Sequence, residues 1–298
     1  MQTNRKRYFM KKSKNKHVGL SRIIRRIDDL PTLPSVIIRI TEQVNNPRSS
    51  AKDLAGVIID DQVLTARLLK LVNSSFYGFP QKISTVTDAI VLLGFDAIRN
   101  LLLTTSIFNM FTGMNKKKKT WQEKFWDHSL GCAVGAKVIG NHIRYDKVEE
   151  LFVSGLLHDI GKIVEMLFFS EDFEKVASII KEKNTLMKSA EDEVLGYTHA
   201  DLGKLLAEKW NLPQKLVNAI EFHHEPDNAG RFIQEAAVVH LSDIICRALD
   251  IGSGGDNKMP FLNKIAWETL QIKLSAIEPI MEKIKLEFED ISKFANSI

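Results

Sequence analysis

The sequence has few cysteines and no long hydrophobic run. Cys132 and Cys246 are the two cysteines among 298 residues, too few for the disulfide framework of a small secreted domain. No apolar stretch approaches the roughly 18 residues of a membrane helix, since the run Leu101–Leu103 ends at Thr104. The basic, polar start also lacks the apolar segment of a signal peptide. We therefore expect a cytoplasmic protein with reduced thiols and no membrane span.

The sequence also lacks two features of α/β nucleotide-binding folds. It shows no sustained two-residue alternation of apolar side chains and no glycine-rich phosphate loop between a strand and a helix. Apolar residues instead recur at helical spacing, as in Ile37, Ile40 and Val44. Hydrophobic residues make up 44% and charged residues 26%, as in ordinary globular proteins. The sequence therefore predicts an all-α fold with many helices.

Several helix boundaries carry their own signals. A hydroxyl stands three residues before a carboxylate in Ser50 with Asp53, Thr85 with Asp88, and Thr198 with Asp201. This spacing is typical of a helix start, where the hydroxyl caps the helix and the acid faces the positive end of its dipole. Gly94 predicts a helix end and Pro213 a helix start.

The net charge of +4 is unevenly distributed along the chain. Residues 1–26 hold ten of the 41 lysine and arginine residues and no acidic residue, so the remainder is mildly acidic. Residues 1–19 form a basic tail. Its candidate contacts with nucleic acid or an anionic surface are Arg5, Lys6, Arg7, Lys11, Lys12, Lys14 and Lys16. Tyr8 and Phe9 are its aromatic residues, and such sparse aromatics favour a solvated, flexible tail over nucleic-acid binding.

A break in composition divides the rest of the chain. The polar, lysine-rich segment 113–119 separates two long helical stretches. We place an N-terminal helical subdomain at 20–112 and a C-terminal helical subdomain at 120–298. A second polar loop, residues 252–258, is expected to separate helices within the C-terminal subdomain.

Histidine and aspartate residues recur in order along the C-terminal subdomain. The set consists of His128, the adjacent pair His158 and Asp159, His199, the adjacent pair His223 and His224, and Asp243. Most of these residues lie in apolar helical segments. A buried carboxylate needs a partner, because burying an isolated charge is very costly. A divalent cation held by histidine and aspartate side chains from several helices supplies that partner, and the set predicts a metal site.

Each of these residues also has an ordinary structural interpretation. A single buried histidine is more often a hydrogen-bonded core residue than a ligand. Asp243 stands four residues before Arg247, which is the spacing of a common helical ion pair. We interpret His142, His240 and Cys246 as structural residues.

The pattern around His158 also suggests how such a site would work. Neighbouring side chains of a helix point about 100° apart, so Asp159 could bridge two metals while His158 binds one. A metal lowers the pKa of its bound water toward neutrality and so generates a hydroxide nucleophile. Lys162 returns to nearly the same helix face, where it could neutralise a phosphate. Asp159 and Lys162 are therefore the candidate catalytic residues, and the donor set suits Fe, Mn, Zn, Ni or Co.

The segment His158-Asp-Ile-Gly-Lys162, with His128 before it and Asp243 after it, resembles the HD superfamily of metal-dependent phosphohydrolases. The resemblance implies that His128, His158, Asp159 and Asp243 bind a divalent metal. It further implies that three more histidines are extra ligands, as in two-metal members such as the HD-GYP cyclic di-GMP phosphodiesterases: His199, His223 and His224.

The N-terminal subdomain resembles the HDOD domain, a signalling module. The resemblance rests on Leu30-Pro-Thr-Leu-Pro34, Asn73-Ser74, Tyr77-Gly78 and Ala89-Ile-Val-Leu-Leu-Gly94 at this spacing. It implies an all-α fold of HDOD and HD type, and a protein that signals through contacts with other proteins.

Two departures from these families bear on function. HDOD members typically have lost the metal-binding set and are regarded as non-catalytic, whereas this chain retains all of it. The Gly-Tyr-Pro element of HD-GYP enzymes is missing after His223-His-Glu225, which disfavours cyclic di-GMP hydrolysis. The sequence thus favours an HDOD-type signalling module that retains a divalent-metal site. The alternative is a metal-dependent phosphohydrolase acting on a phosphate ester or nucleotide, and a nucleic-acid binder ranks last.

Overall fold

The computed structural model describes Ile23, Leu30 and the ranges 32–73, 79–112 and 119–295, and no strand lies among these residues. The fold is all-α, as predicted. The helices are α1 Ser35–Asn45, α2 Ala51–Ile59, α3 Gln62–Val72, α4 Val86–Leu93, α5 Phe95–Thr112, α6 Lys119–His142, α7 Val148–Leu157, α8 Ile160–Phe168, α9 Ser170–Lys183, α10 Met187–Val194, α11 His199–Lys209, α12 Gln214–Phe222, α13 Ile233–Ala248, α14 Lys264–Leu270 and α15 Ile277–Ala295. Within the described ranges, no helix is both long enough and apolar enough to cross a membrane.

The capping signals lie where the sequence predicts them. Ser50 and Thr198 each accept a hydrogen bond from the main chain of the acid three residues on, and that acid's side chain accepts one in return from the capping residue's main chain. Thr85 caps α4 in the same way through its hydroxyl. Gly94 ends α4 with a φ of 83°, a conformation that side chains with a Cβ disfavour.

Asn73 joins the end of α3 to the segment that returns toward α4. Its side-chain amide donates to the carbonyls of Leu69 and Ile83, both at 2.7 Å, and its side-chain oxygen accepts from the amide of Ile83. One side chain thus satisfies a helix-end carbonyl and holds a loop in place. The other polar and aromatic residues of this motif, including Tyr77, lie outside the described residues.

The two predicted subdomains share one hydrophobic core. Helix α5 packs against α7, and buried side chains from α1 to α8 and from α11 to α15 form one contiguous cluster. Val176, Met187 and Ala190 of α9 and α10 form a second, smaller cluster. The ammonium group of Lys209 donates to the carbonyl of Leu30 at 2.9 Å, and Lys147 pairs with Asp96 at 3.2 Å. The boundary at 113–119 stays a prediction, as do the subdomains 20–112 and 120–298. The basic tail 1–19 lies outside the described residues.

The described residues 119–295 are built around α6. This helix packs against α7, α13 and α15, while α8 packs against α11. Glycines permit two of these close approaches. A Cβ on Gly155 would lie 2.4 Å from the carbonyl oxygen of Cys132, and one on Gly161 would lie 1.9 Å from that of His199. The candidate ligands are positioned by helices that could not approach so closely with larger residues.

Candidate metal centre

The structure brings all seven candidate ligands together. They come from five places in the fold: His128 on α6, His158 and Asp159 in the break between α7 and α8, His199 at the start of α11, His223 and His224 at the end of α12, and Asp243 on α13. His158 directly follows α7 and Asp159 directly precedes α8. All seven are buried except His224, which is half-buried.

The donor atoms form two neighbouring groups. The first group consists of His128, Cys132, His158 and Asp243, and the second of Asp159, His199, His223 and His224. Within each group the potential ligand atoms all lie within 4.8 Å of one another. Each group therefore has the size and donor chemistry of a site for one divalent cation.

Asp159 lies between the two groups. Its Oδ2 is 3.3 Å from Nε2 of His158 and 3.8 Å from Nε2 of His128. Its Oδ1 is 3.2 Å from Nε2 of His199 and 3.6 Å from Nε2 of His223. One carboxylate oxygen faces each group, which is the arrangement that a bridging ligand requires.

Three buried polar atoms in this cluster have no hydrogen-bond partner among the described residues. They are Nδ1 of His128, Nε2 of His158 and Oδ1 of Asp159, and all three side chains are fully buried. Buried polar atoms are nearly always hydrogen-bonded, so these atoms need an explanation. Nε2 of His158 belongs to the first group and Oδ1 of Asp159 faces the second, so a cation in each group would supply it for these two atoms. The residues therefore fit a divalent metal.

Hydrogen bonds on the far side of the rings orient three of the histidines. Nδ1 of His158 bonds to the carbonyl of Gly155, and Nδ1 of His223 bonds to that of Ile220, both at 2.7 Å. Nδ1 of His199 bonds to the carboxylate of Glu191 at 2.7 Å. When Nδ1 carries the proton, Nε2 is left free to bind a metal, and such partners also hold the ring in place.

Three members of the second group have pKa shifts that suit metal binding, whereas Glu191 outweighs burial and raises the pKa of His199. Burial and the neighbouring His158 hold the pKa of His223 well below its usual range. Burial and His223 do the same to the pKa of His224. Burial would raise the pKa of Asp159, but His158 and Lys162 outweigh it and hold that pKa well below its usual range. Neutral imidazoles and an ionised carboxylate are the forms that bind cations.

Asp243 forms an ion pair with Arg247 and also belongs to the first group of donors. Its Oδ1 lies 2.7 Å from Nε of Arg247 and 3.1 Å from Nε2 of His128. Burial lowers the pKa of His128, but Cys132 and Asp243 more than compensate and raise it to about 10. His128 would have to lose a proton in order to hold a metal in the first group.

Lys162 is fully buried beside Asp159. Its ammonium group contacts Oδ2 of Asp159 and donates to the carbonyl of Gly254 at 2.7 Å. Gly254 belongs to the polar loop 252–258, which covers the first group. A polar cavity of about 330 Å³ lies between this loop and His128, and its wall includes Lys124, Arg247, Asp256 and Lys258. The contact of Lys162 with a phosphate stays a prediction.

Residues 30–226 match the HDOD domain family, which is about two thirds of the sequence. The chain belongs to the HDOD family. The match includes six of the seven candidate ligands and ends before Asp243. The fold and the family therefore agree with the resemblance of the N-terminal motifs.

Two solved structures show the same fold. An HDOD domain protein of unknown function from Geobacter sulfurreducens superimposes with a TM-score of 0.73 at 26% identity, covering 92% of this chain and 98% of that one. A provisionally named phosphohydrolase from Shewanella amazonensis gives a TM-score of 0.71 at 23% identity over 91% and 97% of the two chains, a likeness of fold.

A longer relative matches most of this HDOD chain. An uncharacterized protein of Treponema pallidum (strain Nichols) is 29% identical over 227 residues, which are 76% of this chain and 44% of that protein. The chain thus spans less than half the length of this relative.

Two members of the cluster were not predicted from the sequence. Cys132 stands four residues after His128 on α6, and this spacing is the signal that could have revealed it. Glu191 bonds to His199 across the turn between α10 and α11, eight residues along the chain, and no sequence pattern marks that contact. His240 bonds to the carbonyl of His223 at 2.7 Å and accepts from the amide of Asn263, which agrees with its structural interpretation.

Proposed function

We propose that this chain is an HDOD signalling module whose C-terminal subdomain holds one or two divalent metal ions. The observation that carries the proposal is the position of Asp159, which turns one carboxylate oxygen toward each group of donors. The ligands would be His128, His158 and Asp243 on one side, and His199, His223 and His224 on the other. The metal would be Fe, Mn, Zn, Ni or Co.

The signalling part of the proposal rests on family membership and on the surface of α2, α3 and α4. These packed helices expose Ile59, Val63, Val91 and Leu92 to solvent. Exposed apolar side chains on helices that pack together support contact with another protein. Val63→Glu and Val91→Glu variants are expected to lose the binding partners of the wild type while keeping its unfolding temperature. Retention of every partner by both variants would contradict this part.

A second candidate function is hydrolysis of a phosphate ester or nucleotide. It is supported by the complete donor set and by the polar cavity beside His128, whose wall holds three cations, Lys124, Arg247 and Lys258, and two carboxylates, Asp250 and Asp256. A bound metal supplies Lewis acidity and a water of lowered pKa. The chain's own contributions would be Glu191, which orients His199, and Lys162, whose charge lies beside Asp159. Cyclic di-GMP is a poor candidate because the Gly-Tyr-Pro element is absent.

The metal content of the purified protein tests both functions. Protein prepared without chelator or a metal-affinity tag is expected to carry one or two equivalents, and a His158→Ala/Asp159→Ala variant to carry none. A His142→Ala variant is the matched control, because His142 is exposed and belongs to neither group. Equal metal content in all three proteins, or no binding of added Mn, Fe or Zn by the wild type, would overturn the metal centre.

Turnover is tested separately on the metal-loaded protein. Phosphomonoesters, nucleotides and cyclic dinucleotides are the substrates to screen. Hydrolysis that disappears in the His158→Ala/Asp159→Ala variant would establish the phosphohydrolase, while a loaded but inactive protein would favour the signalling module alone.

A further inference from the structure

Cys132 lies inside the first group of donors. It follows His128 by four residues on α6, so the two side chains project from the same face of the helix, one turn apart. Its Sγ is 3.6 Å from Nε2 of His128, and both residues are fully buried. Cys132 is a free thiol. No role for this thiol follows from the HD-type set of histidine and aspartate ligands.

The distance between these two atoms suits a shared metal. With a metal–sulfur bond of about 2.3 Å, a metal–nitrogen bond of about 2.0 Å and a tetrahedral angle, the two ligand atoms lie about 3.5 Å apart. The observed 3.6 Å agrees. A hydrogen bond involving sulfur has a similar length, so a second observation is needed to separate the two arrangements.

His158 provides that observation. Its Nε2 is buried in the same group and has no hydrogen-bond partner among the described residues. A simple hydrogen bond between Cys132 and His128 would leave this atom unpartnered, whereas a cation bound by the whole group would use it. Gly155, one turn before His158, lets α7 approach the main chain of Cys132 closely. The backbone therefore brings the thiol and the ring of His158 to the same point.

We propose that the thiolate of Cys132 is a ligand of the first group, together with His128, His158 and Asp243. This inference rests on the proposed metal centre and goes beyond it, because it makes the two groups chemically different. The first has two imidazoles, the thiolate and the carboxylate of Asp243, while the second has three imidazoles and no thiolate; Asp159 faces both groups. Thiolate ligands select Zn, Fe or Co over harder cations such as Mn. The first group is therefore expected to prefer zinc, iron or cobalt over manganese.

Cobalt titration of the metal-free protein tests this proposal, because a cobalt–thiolate bond gives a charge-transfer absorption in the near ultraviolet. The wild type is expected to show this band, and a Cys132→Ser variant to lose it while still binding cobalt at the second group. Cys246→Ser is the matched control, since Cys246 is also a buried free thiol but belongs to neither group. It is expected to keep the band.

The outcomes separate the two proposals. Cobalt binding by the wild type without the band would overturn the role of Cys132 and leave the metal centre standing. A band that survives in Cys132→Ser would overturn it as well. No cobalt binding at all by the wild type would overturn the metal centre and this inference with it.

A second measurement does not depend on any variant folding. X-ray absorption of the zinc-loaded wild type is expected to show one sulfur neighbour at about 2.3 Å from zinc. A shell of nitrogen and oxygen alone, with one equivalent of zinc bound, would overturn the proposal even if Cys132→Ser cannot be purified.

Discussion

The ammonium group of Lys162 donates a hydrogen bond to the main-chain carbonyl of Gly254, 2.7 Å away and 92 residues later in the sequence. The same ammonium group pairs with Asp159. One buried lysine thus connects the carboxylate between the two donor groups to the loop that covers the first of them.

Replacing Lys162 with Met is expected to destabilise the metal-free protein. The change leaves the buried carboxylate of Asp159 without its lysine, and breaking a buried ion pair in this way costs about 3–5 kcal/mol of the free energy of unfolding. Metal binding is expected to become tighter, because a positive charge beside the site is removed. Denaturant unfolding with and without metal measures both effects.

Lys264→Met is the control for this change. Lys264 forms an exposed pair with Glu268 at 3.6 Å, and such pairs contribute about 0–1 kcal/mol. If Lys162→Met were no more destabilising than Lys264→Met, the ion pair would not have the role described.

Replacing Glu191 with Ala is expected to weaken metal binding at the second group. Glu191 accepts hydrogen bonds from both Nδ1 and the amide of His199, and losing such a partner typically costs about 10–100-fold in metal affinity. Metal is therefore expected to bind less tightly at the second group, with the affinity of the first group nearly unchanged. Glu193→Ala removes a nearby exposed carboxylate that pairs with Lys183, and serves as the control. Isothermal titration of both variants decides, and equal affinities would refute the role of Glu191.

Thr198→Ala is expected to reduce both stability and metal affinity. Thr198 caps α11, whose first residue is His199, so the free energy of unfolding falls by about 1 kcal/mol and the ligand is less firmly held. Thr85→Ala removes the equivalent hydroxyl at α4 and is expected to cost a similar amount without changing metal affinity. A loss of metal affinity in both variants would show that the effect comes from general destabilisation.

Gly161→Ala is expected to destabilise the protein by about 1–3 kcal/mol. The new Cβ would lie 1.9 Å from the carbonyl oxygen of His199, so α8 and α11 must move apart. Gly56→Ala lies in α2 with no atom within 4 Å of the added Cβ, and is expected to stabilise by about 0.5–1 kcal/mol. Opposite shifts of the unfolding temperature would confirm the difference, and shifts of the same sign would contradict it.

The helices were predictable from local chemistry. The apolar spacing of Ile37 and Ile40 indicates a helix, and both side chains are buried on α1. The capping hydroxyls of Ser50 and Thr198 lie at helix starts because the capping bond involves only neighbouring residues. No such local pattern predicts the packing of α5 on α7, since this packing depends on complementary surfaces far apart in the sequence.

The candidate centre was predictable in composition but not in arrangement. Histidines and aspartates in apolar segments must converge on something that satisfies them, which made His158 and Asp243 identifiable. The division into two groups depends on the relative positions of α6, α11 and α13, and tertiary packing sets these. Glu191 was missed because its bond to His199 depends on the conformation of the turn between α10 and α11, which no sequence pattern marks. Cys132 was missed although its spacing from His128 was visible.

Sharing Asp159 makes the two groups thermodynamically dependent on each other. A cation at either group draws electron density from the same carboxylate and adds positive charge a few ångströms from the other group. Two cations are therefore expected to bind anticooperatively, the second more weakly than its own donors alone would dictate. By reciprocity, each ion lowers the affinity of the other group for its ion by the same factor. The affinity of the more weakly bound ion would then change whenever the more tightly bound ion is removed or replaced.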